Sequence, residues 1–302
     1  PAQTPDAKPT KQAGKTAEKP AGKPASNAAN KSAEGGPKFG VPTEAEKLLD
    51  EAVAKIESLK QFRADVRQST EMLGYRFVAD GQYAIGLDFR MLFELKVQLS
   101  DTTGSLKEAC DGRTYWRYQQ VLDTQELTRI DIKKIREVIE KDQFNKDVRD
   151  KLINQLGFSG IVPLMKGLRE SQKFESFEED KLGEASVYVL DGRWREEAIN
   201  QASFRGQQLS LANWPGYLPS KCKLWIGKED GWPHRVRLES AKKVQGSTTV
   251  ITLEFLNPMI GVDLPESLFV FEPPAGIKLL DQTDIMVQNL NSMLQQMQGG
   301  GD

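Results

Sequence analysis

The chain has 302 residues, with 41 Lys plus Arg against 43 Asp plus Glu, a balance typical of globular proteins. A formal net charge of -2 provides no overall basic field for nucleic acid or anionic lipid, because phosphate binding needs clustered positive charge. One histidine, His234, and two cysteines, Cys110 and Cys222, exclude a Cys/His zinc site and any site needing two imidazoles, although a carboxylate-only metal site stays open.

The first 40 residues hold seven Lys, nine Ala and six Pro against three acidic residues and one aromatic, Phe39. Such a stretch has too little apolar surface to offset the entropy of ordering it, so residues 1–42 are expected to be a disordered tail ahead of one domain at 43–298. No basic start, apolar core and small-residue cleavage site precedes the tail. The chain is therefore either cytosolic or trimmed, and an Ala/Pro/Lys leader fits an exported protein whose signal peptide has been removed. No run reaches the roughly 18 apolar residues of a membrane span.

Beyond the tail, Leu48, Leu49, Ala52, Val53, Ile56 and Leu59 recur at helical spacing behind a capping-box pair, Thr43 and Glu46, and predict a helix over 44–60. Period-two alternation follows, clearest in Phe89, Met91, Phe93, Leu95, Val97 and Leu99. Neighbouring strands are predicted at 62–70, 73–79, 81–87, 105–110 and 113–121, with Ala79-Asp80-Gly81 and Asp111-Gly112 as turns. Residues 130–170 return to helical spacing as an insertion that Gly157 and Gly160 divide. Strands resume at 172–180, 184–196, 222–228, 234–243, 248–257 and 268–272. A last helix at 283–298 carries Met286, Leu290, Met293, Leu294 and Met297 on one stripe.

The fold class is mainly β (α+β): one large curved antiparallel sheet, with an N-terminal helix, a helical lid at 130–170 and a C-terminal helix. No nucleotide-binding loop is present. The Asp-Gly-aromatic pieces at 111–116, 191–194 and 230–232 read as hairpin turns. His234 has no partner at relay spacing, and a Cys110/His234 dyad lacks an orienting group. Cys110 and Cys222 would pair in an oxidising compartment and be small buried hydrophobes in a reducing one, and the sequence leaves both open.

Four stretches share a further likeness. They are FRADVRQST at 62–70 with GYRFVADGQYAIGLDFRMLFEL at 74–95; CDGRTYWRY at 110–118; GIVPLMKGL at 160–168 with ASVYVLDGRW at 185–194; and KLWIGKEDGWPHRVRLES, TTVITLEF and LPESLFVFEPPAGIKLLDQ between 223 and 282. In order and pattern they resemble the periplasmic lipoprotein carriers of the localisation-of-lipoproteins family and their relatives. Two departures stand out: a longer helical insertion at 130–156, and Leu87-Asp88 where the family often has a basic residue. The resemblance implies a curved antiparallel sheet forming an unclosed half-barrel, capped by helices, whose hollow holds acyl chains or a hydrophobic peptide.

Alternation then nominates Phe89, Met91, Phe93, Leu95, Val97, Leu99 and Tyr115 from the sheet, with Val250 and Thr252 beside them, and Ile161, Leu164, Met165 and Leu168 from the lid, as ligand-lining residues. No catalytic residue, cofactor or metal is assigned. The expected function is non-enzymatic binding or transport of a lipid or lipoprotein acyl chain by a monomer in the periplasm or cell envelope. The alternative is an envelope sensor or scaffold that binds a protein partner through the same fold.

Overall fold

The computed structural model describes residues 41–99, 102–141, 160–201, 203–204, 207–210, 212–244 and 246–298. The expected tail, apart from residues 41 and 42, lies outside the described residues, as does the middle of the helical insertion. The side chains of Leu99, Met293, Leu294 and Met297 also lie outside them.

Helix α1, Glu44–Ser58, starts at the predicted capping box: Thr43 Oγ1 accepts the Glu46 N–H at 3.1 Å, and the Thr43 N–H donates to the Glu46 carboxylate at 3.2 Å. Leu49, Val53 and Ile56 are buried on its inward stripe, each worth about 1.5–3 kcal/mol.

Six strands follow in an antiparallel meander: β1 Phe62–Met72, β2 Tyr75–Ile85, β3 Arg90–Leu99, β4 Thr102–Asp111, β5 Thr114–Val121 and β6 Thr124–Asp131. Helices α2, Ile132–Lys141, and α3, Ile161–Ser171, come next. A second antiparallel group contains β7 Gln172–Leu182, β8 Ala185–Trp194, β11 Lys221–Gly227, β12 Pro233–Glu239 and β13 Val250–Ile260. Between β8 and β11 lie helix α4, Glu196–Gln201, and a separate two-stranded piece, β9 Ser203–Phe204 with β10 Gln207–Gln208. The chain ends in strand β14, Leu279–Asp281, and helix α5, Thr283–Gln298, the last of five helices among the described residues.

The two groups join because β1 pairs with β13, giving one open 12-stranded sheet with β7 and β14 at its edges. Burial fixes its faces. Phe62, Ala64 and Val66 point inward from β1, opposite Ile85, Tyr83 and Gly81 of β2, and α1, α2 and α3 pack on that side in one core. The curved sheet read from alternation, and the open half-barrel with helices that the resemblance implied, are therefore present.

The outer face has its own cover. After β13 the chain runs back across the sheet as a strap, and Phe269, in a 3-10 turn at Glu266–Phe269, is buried among Ala84, Leu92 and Ala109. Gly86 makes room for it, since a Cβ there would fall 2.8 Å from the Phe269 ring. Phe271 packs on Trp116 and Tyr118, and Arg90 pairs with Glu266 at 2.7 Å. The strap then adds β14 in parallel to β6, covering that edge.

Several local expectations change. Residues 73–87 do not contain two strands: β2 runs unbroken through Gly81, where a Cβ would lie 1.7 Å from the Glu94 carbonyl oxygen, so this glycine serves close backbone approach. Asp191-Gly192 is likewise inside β8, and Gly192 admits the Phe174 ring. Asp111-Gly112 and Asp230-Gly231 are turns as expected, with glycine φ of 90° and 69°. The predicted strand at 268–272 is the strap, whose alternating phenylalanines face the sheet without joining a ladder. Strand β6 is not among the expected strands, and it takes residues 130 and 131 from the expected insertion. It follows a turn whose Leu122 has φ 53°, a conformation normally signalled by Asn or Gly.

Phe269→Ala should cost about 3–5 kcal/mol, read as a lower urea midpoint with cooperativity retained. A loss under about 1 kcal/mol would show that the strap is not a structural cover.

Candidate functional site

The inner face has two levels. At one, the helices close over the sheet: Met91 and Tyr115 are 3% and 6% exposed, and Ile161, Met165 and Leu168 of α3 fill the space opposite. These five nominated residues are packed interior. Tyr83 fixes the depth at which α3 sits, because its hydroxyl accepts the Ile161 N–H at a helix start with no side-chain cap of its own. Gly160 permits this, since a Cβ there would fall 2.2 Å from the Tyr83 oxygen.

Phe89 is also displaced from its expected role. It sits in the β2–β3 turn at φ 65°, its ring 5.0 Å from the Arg136 guanidinium, rather than on the strand's inward row. The strand begins only at Arg90.

At the second level the same face is half-exposed. Phe77 and Ala79 of β2, Leu95 and Val97 of β3, and Leu106 of β4 form an apolar strip across the inward rows, which Gln68 and Thr70 of β1 separate from Ile251 and Leu253 of β13. Of the nominated residues, Leu95 and Val97 lie on this strip, while Phe93 and the half-buried Leu164 lie next to the packed level. Val250 and Thr252 are on the outward row of β13, since Ile251 and Leu253 share the inward parity of Phe255. Alternation alone nominated β3 and missed Phe77, Leu106 and Ile251, whose own strands mix small or polar residues into the inward row.

Glu108 lies at the boundary of the two levels. It shares the inward row of β4 with Cys110 and Leu106, pairs across with Phe93 and Arg117, and is 2% exposed. Its Oε1 lies 3.6 Å from Arg117 Nε, and burial followed by this neighbouring charge pushes the Tyr115 phenol's pKa upward.

The strip ends at a rim of hairpin tips. Met72, Leu73 and Tyr75 of the β1–β2 tip and Val121 and Leu122 of the β5–β6 tip are exposed at one end of the sheet. An open recess of about 340 Å³ at the second tip is lined by Gln119, Val121, Leu122, Thr124 and Glu126.

The remaining candidates do not converge. Cys110 and Cys222 are buried free thiols on β4 and β11, with β3, β2, β1, β13 and β12 between them. His234 on β12 is equally remote from Cys110 and instead faces Asp230 at 3.6 Å, a turn partner not read from the sequence. Among the described residues, no group of three or more His, Cys, Asp or Glu is placed to hold a metal ion. No helix among them is long and apolar enough to cross a membrane.

No protein-family model matches the chain. An uncharacterised protein of Methanocaldococcus jannaschii is 22% identical over 239 residues, covering 78% of this chain and 53% of the relative. The chain thus spans about half the length of the curated relative it matches. Similar solved structures include the MucA/MucB complex of Pseudomonas aeruginosa, at 12% identity and TM-score 0.40, covering 76% of this chain and 62% of that one. LprF of Mycobacterium bovis matches at 13% identity and TM-score 0.39, covering 75% and 97%. A LolA superfamily protein of Nitrosomonas europaea matches at 11% and 0.27, covering 75% and 97%.

Burial pushes the Cys110 thiol up to about 11 and the Cys222 thiol up to about 12, so both stay protonated at pH 8. A disulfide-exchange reagent at that pH should find no reactive thiol in the native protein and two after denaturation without reductant. Finding none after denaturation would mean that the two sulfurs are bridged.

Proposed function

We propose that this protein is a non-enzymatic carrier that takes a hydrocarbon chain, from a lipid or a lipoprotein acyl group, onto the open strip of its inner sheet face, and that it works in the cell envelope. One observation carries the reading. The sheet's outer face is closed by its own strap, whereas Phe77, Leu95, Val97, Leu106 and Ile251 are left half-exposed on the inner face. The order of segments that resembles the lipoprotein carriers supports the same reading.

The energetics suit exchange rather than storage. A fully buried methylene is worth about 0.8 kcal/mol, and an open strip covering one side of a chain realises about half of that. A chain of about fourteen carbons then gains about 5–6 kcal/mol, or an affinity near 0.1 mM, weak enough to hand the cargo on.

Mass spectrometry of gently purified protein should show bound lipid, and a neutral fluorescent alkyl probe should titrate to saturation. Val97→Asp and Leu106→Asp should each weaken the probe at least about tenfold, because a charge on the strip must be desolvated by the bound chain. Absence of both lipid and probe uptake in the folded protein would end the proposal.

A second reading, a scaffold for a protein partner, is favoured by the rim. Leu73 and Leu122 hold exposed side chains at φ 54° and 53°, where a leucine costs backbone energy that Asn or Gly would not. On this reading a pull-down gives one stoichiometric protein without lipid, and Leu73→Asn with Leu122→Asn abolishes the capture while leaving the fold intact.

A further inference from the structure

A carboxylate taken out of water costs several kcal/mol unless it is paired and hydrogen-bonded. Glu108 is only partly compensated. Its Oε1 has Arg117 at 3.6 Å, beyond hydrogen-bond distance, and the Arg117 side chain is 50% exposed. Its Oε2 is buried and accepts no hydrogen bond from any described residue. Around it stand Phe93, its partner on β3, Tyr83, the partner of Phe93 on β2, Leu106, the next inward residue on its own strand, and Tyr115, whose hydroxyl is a hydrogen-bond partner of the carboxylate. Tyr115 and Arg117 leave Oε2 as the acceptor without a partner among the described residues, the one that a donor arriving from outside can use.

We infer that Glu108 is the head-group acceptor of the apolar strip. The ligand lays its alkyl chain over Leu95, Val97 and Leu106 and brings a neutral hydrogen-bond donor, an amide N–H or a hydroxyl, to Glu108 Oε2. Charge decides the class. Arg117 already stands beside the carboxylate at 3.6 Å, so the site asks for a donor without a charge of its own, and a fatty-acid carboxylate meets a like charge. This inference rests on the reading of the strip as an alkyl-chain site, and it narrows the cargo to chains headed by an amide or hydroxyl.

The test uses the full chain at pH 8 and three ligands of one chain length, dodecanamide, dodecanol and dodecanoate, competing with the neutral fluorescent probe. The amide and the alcohol should bind about tenfold more tightly than the carboxylate. Glu108→Leu should erase that preference. Glu108→Gln, which keeps the side chain's shape and supplies a donor, should improve dodecanoate selectively. Equal binding of the three ligands by the unmodified protein, or an unchanged ranking in either folded variant, overturns the role of Glu108 and leaves the alkyl-chain reading standing. No binding of the probe or of any ligand overturns both.

Discussion

The ladder between β1 and β13 is the constraint on which the rest depends. Before it forms, the chain has two antiparallel groups, each with an apolar face too broad for its own helices to cover. Pairing Phe62–Glu71 with Val250–Ile260 makes them one surface and sets Val66 against Phe255 on the inward side. Trp232 seals the junction: its ring meets Phe62 at 5.2 Å and Phe255 at 6.3 Å, and its indole N–H donates to the Phe255 carbonyl at 3.3 Å. A register slip of one residue would turn every one of these side chains outward.

A second tie keeps α1 and α3 in place over that surface. Glu46, buried at the start of α1, pairs with Arg195 just after β8 and lies 3.5 Å from Arg169 of α3, which also holds Asp50 at 2.9 Å. Buried ion pairs contribute little net stability but tolerate few alternative arrangements. Here they tie the first turns of α1 to α3 and to the segment just after β8. The contrast between a strapped outer face and a half-covered inner one follows from how the helices and the C-terminal strap are positioned, not from any unusual residue in the strands.

Local signals in the chain were legible where the physics is local. The capping box at Thr43, the amphipathic stripe of α1, the inward row of β3 and the extent of α5 could all be read from spacing. Gly81 and Gly192 could not, because a glycine that admits a neighbouring backbone or ring looks like a turn until its neighbour is known. Strand β14 escaped for a related reason: three residues paired in parallel with β6 have no pattern of their own. Glu108 is the sharpest case. A glutamate among inward positions is invisible to alternation, which sorts residues by polarity and assigns charges to solvent, and only the register with Phe93 and Arg117 places it inside.

The strap and its ladder also set a timetable for biosynthesis. Asp65 of β1 accepts a hydrogen bond from Asn257, 192 positions later, so a nascent chain carries one raw strand flank until that stretch has emerged from the ribosome. The hairpins β1–β2, β3–β4 and β5–β6 form from neighbours already synthesised, but the flank of β1 waits for β13 and that of β6 for β14. Until then the growing sheet presents two sticky borders to any similar chain nearby. Protection from self-association thus arrives only once residues 250–281 have been made, and a stall shortly before that is the point of greatest danger.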